Sequence, residues 1–148
     1  MIAITNRQRT RKVKLPLLKK IAEAALEELG TEASELGIVL VGAKEMASIN
    51  EKFLGHEGPT DVITFDYSSK PKRKNYLHGE IFVCVEVAIK QAKEFGTTWQ
   101  SEVARYVAHG ILHLIGHDDL RAAARQKMKQ EEGRLVAKLS RCFALSKL

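Results

Sequence analysis

Cysteine is scarce: the 148-residue chain has only Cys84 and Cys142, far apart and in no CxxC arrangement. That argues against a disulfide framework and predicts two free, buried thiols in a reducing compartment. Long apolar runs are missing too, and none approaches the length of a membrane span. The opening MIAITNRQRTRK is apolar first and basic second, the reverse of a secretory signal, so the expected location is the cytoplasm. Neither internal repeats nor a low-complexity linker divides the chain, which predicts one domain over residues 1–148. Acidic residues are outnumbered: 18 Asp and Glu against 24 Lys and Arg leave a net charge of +6. An excess of this sign suits a polyanionic partner, and for a cytoplasmic protein nucleic acid is the commonest one.

What is present is regular patterning. Residues 1–5 alternate and predict a short edge strand. Pro16 suits the first turn of a helix in which Leu18, Ile21, Ala25 and Leu26 recur at helical spacing until Gly30. The continuous apolar run 36–41 predicts a buried strand, and a short helix follows over 44–53 with Met46, Ile49 and Phe53 on its apolar face. Strands are expected at 61–65 and 80–85, separated by a basic, proline-containing loop over 68–76. Helices are expected at 86–95, 99–114 and 119–139. The order β-α-β-α-β-β-α-α-α predicts an α+β domain, a small mixed β-sheet of about four strands covered by helices.

The chemistry concentrates in His109-Gly-Ile-Leu-His113-Leu-Ile-Gly-His-Asp-Asp119. Val103, Val107, Ile111 and Leu114 place this segment on an amphipathic helix, so His109 and His113, four apart, project from one face. That spacing lets two imidazoles reach one ion, as on the metal-site helix of zincins. Gly116 can end the helix and turn the chain back, bringing His117, Asp118 and Asp119 towards the same point. Two histidines and a carboxylate would complete a catalytic zinc site with a place left open. Zinc peptidases of the HExxH kind carry a glutamate after the first histidine as general base. Here that position is Gly110, which points away from peptide hydrolysis.

The same segment resembles the signature of the YbeY family of bacterial endoribonucleases, His-Gly-x-Leu-His-Leu-x-Gly-(Tyr/His)-Asp-His, and departs from it only at the last position. Asn50-Glu-Lys-Phe-Leu-Gly-His-Glu-Gly-Pro-Thr60-Asp61-Val-Ile-Thr-Phe65 is similar to a second block of that family, and Gly79-Glu80-Ile81 leading to Glu86 and Gln91-Ala92 to a third. The resemblance implies a single-domain, zinc-dependent endoribonuclease that prefers single strands. It implies work in ribosomal RNA maturation, notably at the 3′ end of the small-subunit RNA, and in ribosome quality control. RNA and the ribosome or its small subunit are the implied partners. It carries His109 and His113 over as ligands and puts Asp119 where the family has its third, a histidine. Aspartate can serve as that ligand, and His117 is the alternative. His117 otherwise reads as a wall of the site, with Thr60 and Asp61 lining the cleft. Asp118 is the candidate catalytic residue, orienting a ligand or handling protons; otherwise it caps the helix that follows.

Two further positions depart from the family. Leu54 stands where the family has a functionally important arginine, which would steady charge on the scissile phosphate, and Asp66 stands where it often has proline. The loop Lys70, Lys72, Arg73 and Lys74 is the favoured reservoir of replacement cations and the expected RNA-binding element. Basic clusters also lie at Arg7 to Lys14 and at Arg121, Arg125, Lys127 and Lys129; the latter, interleaved with Glu131 and Glu132, reads equally as a solvated helix face. Tyr67, Tyr76 and Trp99 could stack bases and are assigned no role. The rival functions are a non-catalytic, ribosome-associated RNA-binding factor with a structural metal and, less favoured, a metallopeptidase.

Overall fold

The structure, a computed structural model, describes residues 1–31, 33–69 and 76–148, the side chains of Ala33 and Ser34 excepted. The chain forms β1 (Ile2–Asn6), α1 (Leu15–Glu28), β2 (Ala33–Val41), α2 (Ala43–Ile49), β3 (Val62–Asp66), β4 (Tyr76–Cys84), α3 (Val85–Phe95), α4 (Trp99–Leu114) and α5 (Ala122–Cys142). A π-helical turn, Asn50–Leu54, extends α2, and a 3-10 turn, Leu145–Lys147, closes the chain. The four strands make one mixed sheet in the order β1-β2-β4-β3, with β1, β2 and β4 parallel and β3 antiparallel on the edge. This is the α+β architecture expected from the element order. Among the described residues no helix is long and apolar enough to cross a membrane.

The inner strand β2 is buried from both sides over Ile38, Val39, Leu40 and Val41, which is why 36–41 reads as an unbroken apolar run rather than an alternation. On one face Leu36, Ile38, Leu40, Ile81 and Val83 pack with α1 and α4 into the main core. On the other, Val39, Val41, Ile63 and Cys84 close against Met46 of α2. Burying Leu18, Ile21 and Leu26 of α1 and Val103, Val107 and Ile111 of α4 contributes on the order of 2 kcal/mol per side chain. The helix α4 is thereby held between the sheet and the outer helices, a rigid platform for whatever its remaining face carries.

Element ends differ from the pattern reading. β4 starts at Tyr76 and β2 at Ala33, because the two pair over their whole length, from Ala33↔Tyr76 to Val41↔Cys84; the ladder needs backbone groups, not apolar side chains. The helix expected over 44–53 changes to a π turn at Asn50, whose buried side chain donates to the Gly58 carbonyl at 2.9 Å and whose own carbonyl accepts from His56. The last helix begins at Ala122 rather than 119, with Arg121 as its N-cap residue. Asp118 therefore does not cap it; its carboxylate takes the Leu120 N–H at 3.2 Å instead. Of the two free thiols Cys84 is buried but Cys142 is exposed, at the end of α5 where the helix leaves the core. The basic loop Lys70, Lys72, Arg73 and Lys74 lies outside the described residues.

Candidate metal centre

The helix α4 starts at Thr98, whose hydroxyl accepts the Ser101 N–H at 3.1 Å, an N-cap that satisfies an otherwise unpaired donor. It ends on Gly116 at φ 115°, with the His117 N–H bonded back to Leu112 and the Gly116 N–H to His113. That pair of bonds is a Schellman cap, and a side chain at Gly116 would be strained in this conformation. The cap reverses the chain so that Asp119 Oδ2 comes to 3.8 Å from His113 Nε2.

His109 and His113 are both half-buried on the outer face of α4, one turn apart. The Nδ1 atom of His109 donates to Glu132 Oε1 of α5 at 2.8 Å, and Arg105 Nη1 holds the other carboxylate oxygen at 3.2 Å. The Nδ1 atom of His113 donates to the His117 carbonyl at 3.1 Å. With each Nδ1 so engaged, neutral rings present bare lone pairs at Nε2, and the two Nε2 atoms face one another at 3.1 Å. Only an electron-pair acceptor between them relieves that repulsion: a proton or a metal ion.

His109, His113 and Asp119 each offer one ligand atom, all within 4.8 Å of one another, and the group can hold a metal ion. Two nitrogens and one oxygen suit zinc chemically, and two ligand nitrogens of a tetrahedral zinc lie about 3.3 Å apart. Carboxylate- and carbonyl-anchored imidazoles are also the usual support of such ligands.

Without an ion, the rings differ. Burial pushes His109 down, but the hydrogen bond and charge of Glu132 outweigh it and hold its pKa above the usual histidine value. Burial and the neighbouring His109 hold His113 below it. Glu132, raised by burial, is lowered further by its bond to His109 and ends below the ordinary carboxylate value. The sign follows. The raised imidazole contributes stability that is lost as pH rises through its folded pKa, and the depressed carboxylate contributes stability lost as pH falls through its own. A metal must displace the His109 proton, so affinity should fall as pH falls. Glu132→Ala should weaken divalent-metal binding about 10- to 100-fold, with Glu132→Gln milder because its amide oxygen still accepts from Nδ1; titration with zinc at neutral pH checks both.

Beside the trio opens a cleft of about 1040 Å³, walled in part by Asp61, Arg105, His109, Asp119 and Arg125. Asp61 sits at the start of β3, where its carboxylate accepts the Val62 N–H at 2.8 Å and the Thr60 hydroxyl at 3.2 Å; Thr60 itself is not on the cleft wall. His117 stands apart from the ligand trio and acts on His113 through its backbone carbonyl. Asp118 is exposed and off the wall, though its charge reaches His113. Leu54 is half exposed at the end of the π turn and does not line the cleft. Tyr67 is tied by its hydroxyl to Glu80 at 2.6 Å and pushed up to about 12. Sequence reasoning missed Glu132 as a support of the centre because it lies on another helix at no fixed spacing to His109. It missed Arg105, one turn before His109 on α4, because its part shows only through its bond to Glu132.

Position 110 faces the sheet, not the cleft. A Cβ there would come within 2.7 Å of Ile81 Cγ2, so the glycine allows α4 to approach β4 closely, and a glutamate in its place would meet the core.

A family model described as Endoribonuclease YbeY matches residues 3–140. The chain belongs to that family. It is 38% identical over 127 residues to the Endoribonuclease YbeY of Elusimicrobium minutum, covering 85% of this chain and 89% of that one. It is 32% identical to the Endoribonuclease YbeY of Geobacter metallireducens, over 95% and 96% of the two chains. The solution structure of a Thermotoga maritima protein superposes with a TM-score of 0.69 at 29% identity, covering 94% of this chain and 89% of the other. Membership in the YbeY family makes this chain an RNA-cleaving hydrolase by family, with RNA as its substrate class.

Proposed function

We propose that this YbeY-family chain is a zinc-dependent endoribonuclease acting on single-stranded RNA, with His109, His113 and Asp119 as the ligands. The observation that carries the metal reading is the pair of Nε2 atoms 3.1 Å apart, each ring anchored through Nδ1, beside an open cleft. When bound, zinc would supply Lewis acidity to a phosphate oxygen, to an attacking water, or to both. The chain's own residues orient and exclude. Glu132 and the His117 carbonyl hold the imidazoles in the ligand tautomer, Asp61 lines the cleft, and Asp118 is assigned proton handling beside the ligand turn. The loop Lys70, Lys72, Arg73 and Lys74 is assigned to RNA phosphates. By family resemblance the RNA is ribosomal, the 3′ end of the small-subunit RNA, with a role in ribosome quality control, the ribosome as partner and the cytoplasm as location.

Purified, zinc-loaded protein should cleave a single-stranded RNA oligonucleotide and stop doing so on chelation. The product ends then identify the nucleophile, since a 2′,3′-cyclic phosphate requires attack by the RNA's own 2′-hydroxyl. Leu54, an apolar residue where the family has arginine, favours the second reading, a metal-stabilised RNA-binding factor without turnover. Retained RNA binding with no cleavage at saturating zinc would establish it.

A further inference from the structure

The basic side chains on the cleft wall, among the described residues, are Arg105, Arg125 and Lys129, and they are not equivalent. Arg105 is committed to Glu132 at 3.2 Å and helps to hold the His109 support in place. Arg125 and Lys129 are exposed and lie four apart on α5, on one face of the helix. The Nη1 atom of Arg125 donates to the Asp119 backbone carbonyl at 3.4 Å, which ties its guanidinium to the turn that carries the candidate carboxylate ligand. Among the described residues no carboxylate pairs with it, and the first turn of α5 holds no acidic side chain. The remaining N–H groups of its fork are thus available to an anion in the cleft. A guanidinium matches two oxygens of one phosphate, whereas Lys129 offers a single compact charge one turn farther along the helix.

We propose that Arg125 is the residue that clasps a phosphate of the bound RNA strand beside the metal centre. The assignment rests on the reading of this cleft as the RNA site. It supplies phosphate recognition from α5, independently of the loop 70–74 and of position 54. Arg125 acts on substrate, not on the ion, because the hydrogen bond of its guanidinium to Asp119 goes to the backbone carbonyl and leaves the carboxylate free for the ion.

The test compares Arg125→Ala, Arg125→Lys and Lys138→Ala in zinc-loaded protein. Lys138→Ala removes the same charge from the same helix, about 20 Å along its axis, and Lys138 is not on the cleft wall. Alanine is well tolerated on an exposed helical face, so the variants should fold. Binding of a labelled single-stranded RNA is read by fluorescence anisotropy, cleavage by gel, and zinc by elemental analysis. Arg125→Ala should lower RNA affinity or kcat/KM about 10- to 100-fold, the range for losing charged hydrogen bonds. Arg125→Lys should fall between, Lys138→Ala should stay within about twofold of the parent, and zinc content should be equal in all. Arg125→Ala matching Lys138→Ala, or losing its zinc, overturns the assignment and leaves the endoribonuclease reading standing. Parent protein that binds RNA without cleaving it sinks the endoribonuclease reading instead, and the binding comparison still decides Arg125. Parent protein that does neither overturns both.

Discussion

His113→Ala should abolish tight zinc binding and RNA cleavage together while leaving the circular dichroism spectrum unchanged. His113 is the hinge of the candidate centre: its Nε2 is 3.1 Å from His109 Nε2 and 3.8 Å from Asp119 Oδ2. If the binding energy of a structural zinc is divided about evenly among its ligands, each contributes about 3 kcal/mol, or roughly 100-fold in affinity. The fold should tolerate the change, because the side chain is partly exposed and its bond to the His117 carbonyl lies outside the core. Two companion variants separate the candidates for the third ligand. Asp119→Ala should lose zinc affinity by a comparable factor, whereas His117→Ala should keep it, since His117 meets the centre through its backbone. Elemental analysis that finds zinc retained in Asp119→Ala and lost in His117→Ala would reverse the ligand assignment.

Gly79→Ala should be the most damaging small substitution away from the site. A Cβ at Gly79 would lie 2.5 Å from the Phe65 carbonyl oxygen and 2.8 Å from Leu114 Cδ2. The first neighbour is backbone in the antiparallel β3–β4 ladder, next to the Asp66↔Gly79 pair, and cannot swing away as a side chain would. Overpacking of this kind costs about 3 kcal/mol, which for a chain of this size lowers Tm by roughly 6–12 °C. Differential scanning calorimetry checks it; a shift of less than about 2 °C would mean that the edge strand simply moves outward. Because β3 also delivers Asp61 to the cleft wall, RNA cleavage should weaken alongside stability.

The element order and the mixed sheet were legible in the sequence because burial leaves a period. The run 36–41 and the spacing of Val103, Val107 and Ile111 follow directly from which faces meet the core. The candidate centre was legible because its three ligand residues come from one helix end and the turn after it, so local spacing contains the geometry. What stayed hidden comes from packing between distant segments. Glu132 reaches His109 only because α5 folds back across α4, and Arg105 joins it from the preceding turn of α4. Arg125 was one charge among several in a cluster that read equally as a binding element and as a solvated helix face, until the cleft placed it beside Asp119. Strand starts were misjudged at Ala33 and Tyr76 because a ladder propagates through backbone groups that leave no apolar signature. The exposure of Cys142 was missed for a different reason: residue type predicts burial on average, not at the last turn of a helix.

The connection 115–121 between α4 and α5 joins two rigid helices through a turn secured by backbone bonds at Gly116 and His117 and by a few side-chain bonds, with Asp119 half exposed at its tip. An ion shared by that tip and the helix would be a clasp that exists only in the folded chain. At a hundredfold excess over its Kd such a ligand adds about 2.7 kcal/mol to folding. The lifetime of the protein would then follow the supply of metal, so that a starved cell would lose the enzyme itself, by unfolding and proteolysis, along with its activity.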